Sequence, residues 1–436
     1  MTVKATVCVT EIRGDLRGAI RRCFDAFGGI DSICKGEVFI KINALMPDTT
    51  AMTDIDVILE TVALVKEARP KPKKIYVFDS AGVSFPTRVV FMIEDLAKRI
   101  KKLGAIPLYL DEQPSIDMDF QGKALDYPIP IPRILYEKLI LHKEENTYIN
   151  IPKLKCHLQT QMTCCLKNQH GLLYDKEKVY NHHMMHEKVV EIYNLFQPDF
   201  NLVEAINVTN HANFAYRPDW AINYDLLLAG TDAVAVDSVG ARLIGMDGRE
   251  VEHLRLAQER GFGTCCYEEI EVVPDRALVE KKKKSLNNRI DQVPVEAAEG
   301  VTFIPGKERC CVAGCGYIEF WIKYITASVK SKPFVAVVGK GHDTAELDKY
   351  PGPFFVNGPC PVKELKGYFD QRKKNDRKLK VVYVDDHFDL IESMMGVMKA
   401  GGIPMKSLMG MLKIPMSKMM IGFAGAIVHR ARFKAM

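Results

Sequence analysis

Short apolar runs recur along the chain, each closed by one or two polar residues, and segments with helical apolar spacing separate them. Glu37–Asn43 (EVFIKIN) is the first clear case, and it predicts a buried parallel strand whose carboxyl end carries Lys41 and Asn43. After a loop with Pro47, Thr53-Asp54 reads as a cap for a helix over Ile55–Ala68. Lys74–Ser80 (KIYVFDS) predicts a second strand, ending in Asp79-Ser80. A helix over about Val89–Leu103 closes at Gly104, and Ala105–Leu110 predicts a third strand. Strands alternating with helices predict an α/β fold with a mostly parallel sheet covered by helices.

The pattern continues through a proline-rich loop with a short edge strand at 113–135, a strand at Thr147–Ile151, a helix at Tyr180–Phe196 and a strand at Phe200–Ile206. Leu226–Ala229 runs into Gly230-Thr231-Asp232, followed by a helix through Asp237 to Ile244. Lysines and polar residues accumulate over Pro274–Gly300, where a boundary is placed. The expectation is a main α/β domain over 1–300 and a smaller α/β unit over 301–436, with strands at Phe334–Gly339, Phe354–Asn357 and Lys380–Asp385.

One stretch breaks the rhythm. Tyr148–Gly171 opens as a strand and then packs Lys153, Lys155, His157, Thr163, Lys167, Asn168 and His170 close together. Gly171 falls where a helix C-cap would stand. Lysines supply point charges and a histidine titrates near neutral pH, so this stretch predicts an anion-binding wall with His157 as acid–base group or metal ligand. Open parallel sheets bind ligands at the carboxyl ends of their strands. Lys41, Asn43, Asp79, Ser80, Lys153, Lys155, His157 and Asp232 all fall at predicted strand ends.

Composition narrows the picture. The chain has 436 residues, enough for two or three domains at ~150 residues each. Net charge is +5, without the clustered basic stripe that nucleic acid requires. The run Lys281–Lys284 reads as an exposed helix end. Glu11, Arg13 and Asp15 interrupt the N-terminal apolar residues, and no stretch approaches the ~18 apolar residues of a membrane span. These features lead to a cytoplasmic expectation, in which twelve cysteines are buried thiols or metal ligands and not a disulfide framework.

Cys310, Cys311 and Cys315 (ERCCVAGCGY) and Cys360 (NGPCPV) form a two-segment set that could hold a [4Fe–4S] cluster. Cys164-Cys165 and Cys265-Cys266 read as core residues. His182, His183 and His186 have a spacing that can set two imidazoles on one helix face, so His183 and His186 are the alternative ligands, for a mononuclear divalent metal. The C-terminal tail is rich in methionine and ends in Arg430, Arg432 and Lys434. Its apolar part, Met419–Val428, reads as an oligomer contact or docking helix, with an interfacial membrane anchor as the alternative.

The stretch INIPKLKCHLQTQMTCCLKNQHG resembles the signature of the domain-of-unknown-function family 362. The matching positions are Pro152, Lys153, Lys155, His157, Thr163, Lys167, Asn168 and Gly171. An early Lys-Pro-Asn of that family stands here as Lys41-Ile42-Asn43, and its later aspartates as Asp232 and Asp237. The resemblance covers about 35–260. It implies an iron–sulfur-associated protein of anaerobic bacteria and archaea, although this chain lacks the family's ferredoxin-type cysteines. It also implies a fold similar to that of nickel-pincer lactate racemases.

The combined expectation is a redox protein or oxidoreductase, with a redox partner protein, acting on a small anionic substrate. Lys153, Lys155, His157, Lys167 and Asn168 are the catalytic candidates. Lys41, Asn43, Asp79, Ser80, Thr163 and Asp232 are the substrate-binding candidates. The alternatives are a metal-dependent racemase, isomerase or lyase without a cluster, and a non-catalytic ligand-binding or maturation protein.

Overall fold

The computed structural model describes residues 4–82, 85–211, 218–288, 296–308, 315–386, 390–409 and 416–434. Two compact units emerge: Met1–Asn288 with Lys413–Met436, and Arg289–Leu412. The last residues, Lys413–Met436, belong to the first unit.

The strands of the first unit are β1 (Thr6–Glu11), β2 (Glu37–Ile42), β3 (Lys74–Asp79), β4 (Ile106–Tyr109), β5 (Ser115–Met118), β6 (Ile129–Pro132), β7 (Thr147–Ile151), β8 (Lys153–His157), β9 (Gln161–Thr163), β10 (Phe200–Thr209), β11 (Ala221–Gly230) and β12 (Glu271–Val273). The main sheet has the order β12-β1-β11-β10-β7-β2-β3-β4, with β8 beside β10 and β9 beside β8. It is mostly parallel. The exceptions are β11, antiparallel to both β1 and β10, and the β8–β9 hairpin. The return from β10 to β11 is too short for a parallel crossover, which needs a dozen or more residues.

Every residue of β2 and β7 is buried, as expected of strands covered on both faces. Helices Leu16–Asp25, Ile55–Val65 and Leu96–Lys102 contribute to the core on one face, with Val38, Ile40 and Ile149. Helices Met185–Leu195, Ala233–Leu243 and Glu252–Glu259 contribute to the other, with Leu154, Val203 and Leu228. The helix expected over 89–103 is broken: Glu94 and Asp95 adopt positive φ between Thr87–Val90 and Leu96–Lys102.

Caps link this frame to the polar stretch. Asp54 accepts from the backbone N–H of Asp56 and Val57 and starts helix Ile55–Val65. Asp232 does the same for helix Ala233–Leu243 through the Ala235 N–H. Asp237, fully buried inside that helix, reaches out of it. Its two oxygens accept from the N–H of Cys165 (2.7 Å) and Leu166 (3.0 Å). It thereby caps the short helix Cys165–Asn168, which carries Lys167 and Asn168.

The second unit holds a four-stranded parallel sheet, β13 (Val301–Pro305), β14 (Phe334–Val338), β15 (Phe354–Asn357) and β16 (Val381–Val384), in that order. Ile318, Ile322 and Val397 belong to one of its cores, Val362, Leu365 and Phe369 to another.

Replacing Asp237 with Ala leaves two buried N–H groups without an acceptor. We expect a stability loss of roughly 2–5 kcal/mol, read as a lower urea midpoint at unchanged slope.

Candidate functional site

Strands β2, β3 and β8 end around one cleft. Its base is a buried ion pair. Lys41 Nζ lies 2.5 Å from Asp79 Oδ1 and also donates to the Ile42 carbonyl. The remaining Asp79 capacity accepts the N–H of Ala44 and of Ser80, so the pair ties the ends of β2 and β3 together. Burial pulls the Lys41 ammonium below its usual range and pushes the Asp79 carboxyl above its own; each charge opposes the other's loss. Gly171 sits against this pair. A Cβ there would overlap Asp79 Oδ1 and lie 2.7 Å from Lys41 Nζ. Its φ is not positive, so close approach, not a helix C-cap, is what demands glycine.

Lys155 comes from β8 and is 1% exposed, yet no carboxylate among the described residues meets it. Its Nζ donates to Asn43 Oδ1 and to the Ala51 carbonyl, both at 2.8 Å. Burial, with the Lys153 and Lys167 charges, pulls Lys155 well below the lysine range. Asn43 is held in turn by a row of buried amides. Asn43 donates to Asn168 (3.3 Å), Asn168 to Asn150 (2.8 Å), Asn150 to Asn201 (2.9 Å), and Asn201 to the Gly230 carbonyl (3.3 Å). Asn150 and Asn201 stand between apolar neighbours in β7 and at the start of β10, a signal legible in the sequence that points to no site residue by itself.

Lys178, also buried, donates to the Ser80 hydroxyl (2.7 Å) and to the Ser80 and Ala81 carbonyls. Lys188 caps the end of its helix, donating to the carbonyls of Glu177, Lys178 and Tyr180. Sequence reasoning missed Lys178, because DKEKV reads as a solvated charge run.

Lys167 lies half-buried in the same cleft. Among the described residues it has no hydrogen-bond or ion-pair partner. Burial and the Lys178 and Lys41 charges bring its amine down to about 8. An ammonium offers three N–H donors. Lys178 spends its three on Ser80 and Ala81 and also lies 3.5 Å from the Asp175 carboxylate, whereas Lys41 and Lys155 each retain one and Lys167 all three. Four lysines line the cleft and Asp79 is the single carboxylate among its lining residues.

His157 accepts the N–H of Gln159 and of Thr160 at Nδ1, both at 3.2 Å, which leaves its proton on Nε2. Burial and the neighbouring Lys167 and Lys155 charges keep the ring neutral, well below the usual histidine range. His170 is neutral for the same reasons, and its Nε2 has no partner among the described residues. Thr163, opposite Lys155 in the β8–β9 register, completes the wall.

The structure places the other candidates elsewhere. Lys153 pairs with the fully buried Glu204 at 2.6 Å, away from the cleft lining. Asp232 is occupied as a helix cap and faces Gly263 and Thr264. His183 is exposed, whereas His186 faces His253, with Nδ1 atoms 3.2 Å apart. Cys315 is buried just ahead of helix Tyr317–Ser328, and Cys360 stands in the first turn of helix Pro359–Asn375. Cys310 and Cys311 lie outside the described residues. Cys164, Cys165 and Asp237 bring two sulfurs and a carboxylate oxygen within 4.8 Å of one another, a possible metal site. Burial holds both thiols high, Cys164 at about 12, and the two Asp237 oxygens already accept backbone N–H groups.

The family described as "Domain of unknown function (DUF362)" matches residues 38–242. Residues 38–242 of this chain are thus similar to that family. The matched segment runs from β2 into helix Ala233–Leu243 and contains every cleft residue named above. A relative is the thylakoid-associated protein sll1697 of Synechocystis sp., 26% identical over 270 residues, which cover 57% of this chain and 75% of that protein. Among solved structures, the lactate racemase apoprotein of Thermoanaerobacterium thermosaccharolyticum matches with TM-score 0.37 and 8% identity, over 88% of this chain and 94% of that one. A Thermotoga maritima protein matches with TM-score 0.36 and 11% identity, over 88% and 82%. No helix among the described residues is long and apolar enough to cross a membrane.

Gly171→Ala must part Lys41 from Asp79 or displace the 169–172 turn. We expect a loss of roughly 2–4 kcal/mol in chemical denaturation.

Proposed function

We propose that the first unit binds a small carboxylate-bearing molecule in the lysine-lined cleft and moves a proton on it. The observation that carries this reading is Lys167, an amine without a partner among the described residues, in a cleft lined by four lysines and one carboxylate. A bound anion takes the remaining N–H groups of Lys41, Lys155 and Lys167, and it offsets the burial and the neighbouring charges that draw Lys167 down to about 8. An amine in that range is present in both protonation states near neutral pH, as a proton-transfer group must be. His157, expected to be the acid–base group, serves instead as a neutral donor through Nε2–H, polarising a carbonyl or hydroxyl oxygen.

Titration calorimetry with oxalate, which stays ionised throughout, tests the reading. The protonated Lys167 is the binding form, so affinity holds below about pH 7. It then weakens as pH rises through about 8, approaching tenfold per unit. Lys167→Met removes the pH dependence and weakens binding roughly 10- to 100-fold. Binding that is flat with pH and indifferent to Lys167→Met removes the proposal.

A second reading concerns the other unit. Cys315 follows β13 and Cys360 follows β15, two strands of one parallel sheet, so both cysteines belong to connections leaving its carboxyl edge. That placement favours a [4Fe–4S] cluster on Cys310, Cys311, Cys315 and Cys360, which would supply an electron-transfer centre to an oxidoreductase. Anaerobically purified protein then contains about four irons and four sulfides per chain, lost in Cys315→Ala and Cys360→Ala. Iron-free, colourless protein from that preparation eliminates the cluster.

A further inference from the structure

The C-terminal helix Met416–Lys434 is apolar on two opposite faces. One face is used: Gly422 and Ala426 are buried, and Gly422 packs its backbone against Val89 and Met92 of the first unit. Opposite them stand Met420, Ile421, Ala424, Ile427 and Val428, at the i, i+1, i+4, i+7, i+8 spacing of a single helix face. All five are exposed, Ile421 and Ile427 at 67% and 66%. Exposed apolar side chains are ordinary when scattered singly. Here, of the eight strongly exposed large apolar residues among those described, four share one face of one helix.

Charge identifies what covers this face. From Lys413 to Met436 the chain contains Lys413, Lys418, Arg430, Arg432 and Lys434 and no aspartate or glutamate; Lys418 pairs with Asp95 at 3.2 Å, and the other four leave a positive excess. A second copy of the helix would bring the same excess of positive charge, whether packed parallel or antiparallel. A surface of anionic lipid headgroups over an acyl layer satisfies both features at once: headgroups meet the basic residues, and the acyl boundary takes the apolar stripe. The helix is too polar to cross a bilayer. We propose that Met416–Lys434 is an interfacial helix that seats the first unit on anionic membranes.

Vesicle co-sedimentation of the full chain tests this. The wild type is expected to bind phosphatidylcholine vesicles containing about one third phosphatidylglycerol, and to bind pure phosphatidylcholine vesicles at least about tenfold more weakly. About 0.5 M salt weakens the binding. The double variant Ile421→Ser/Ile427→Ser keeps the Gly422–Ala426 packing face and should lose at least about tenfold in affinity. Arg430→Gln and Arg432→Gln should each cost about fivefold. The proposal falls if the variants bind like the wild type, or if neutral vesicles bind equally well. It also falls if light scattering shows a dimer that Ile421→Ser/Ile427→Ser dissolves, which would assign the face to a second copy.

Discussion

Lysine ammonium groups taken out of water at the carboxyl ends of parallel strands are the constraint on which the domain is built. Each costs several kcal/mol to bury unless something opposite or polar receives it. The solutions differ from lysine to lysine. Lys41 has Asp79, Lys153 has Glu204, Lys178 has the Ser80–Ala81 carbonyls, and Lys155 has an amide and a carbonyl. Lys167 has none of these among the described residues, and its position is nevertheless set from outside the cleft, by the Asp237 cap on its short helix. Helix placement, amide orientation and the glycine at 171 all follow from receiving these charges.

The parallel half of the sheet is legible in the sequence because its strands are buried on both faces and read as unbroken apolar runs. Its polar terminators, Lys41-Asn43 and Asp79-Ser80, are legible for the same reason. The antiparallel strand β11 is harder to read: Leu226–Ala229 marks its end, while Ala221–Asp225 alternates in a way that looks like loop. β1 is hidden differently, its apolar and polar residues mixing as they do in a surface segment.

The polar stretch shows where a one-dimensional reading stops. Lys153 and Lys155 sit two apart in one strand, so period-two alternation predicts one face for both. The structure sends Lys153 to Glu204 and Lys155 to Asn43, because side-chain length lets each nitrogen travel several ångströms from its Cα toward whichever acceptor exists. The acceptors come from β10 and from the loop after β2, and tertiary partners of this kind leave no trace in local spacing. Lys178 is invisible for a related reason: its helix is a charge-rich run, and only the packing of Ser80 and Ala81 over it makes that charge internal.

The amide row from Asn43 to Gly230 has a direction. Every link donates the same way, with the oxygen of each amide turned toward Lys155 and the nitrogen toward β11. Such a row behaves as a single polarised object, since turning one amide sets donor against donor on one side and acceptor against acceptor on the other. The carbonyl of Gly230 therefore acts as the anchor that decides the sense of the whole row, and Lys155 reads that sense at the far end. The antiparallel insertion of β11, which looked like an irregularity of topology, thus sets the electrical polarity of the cleft wall.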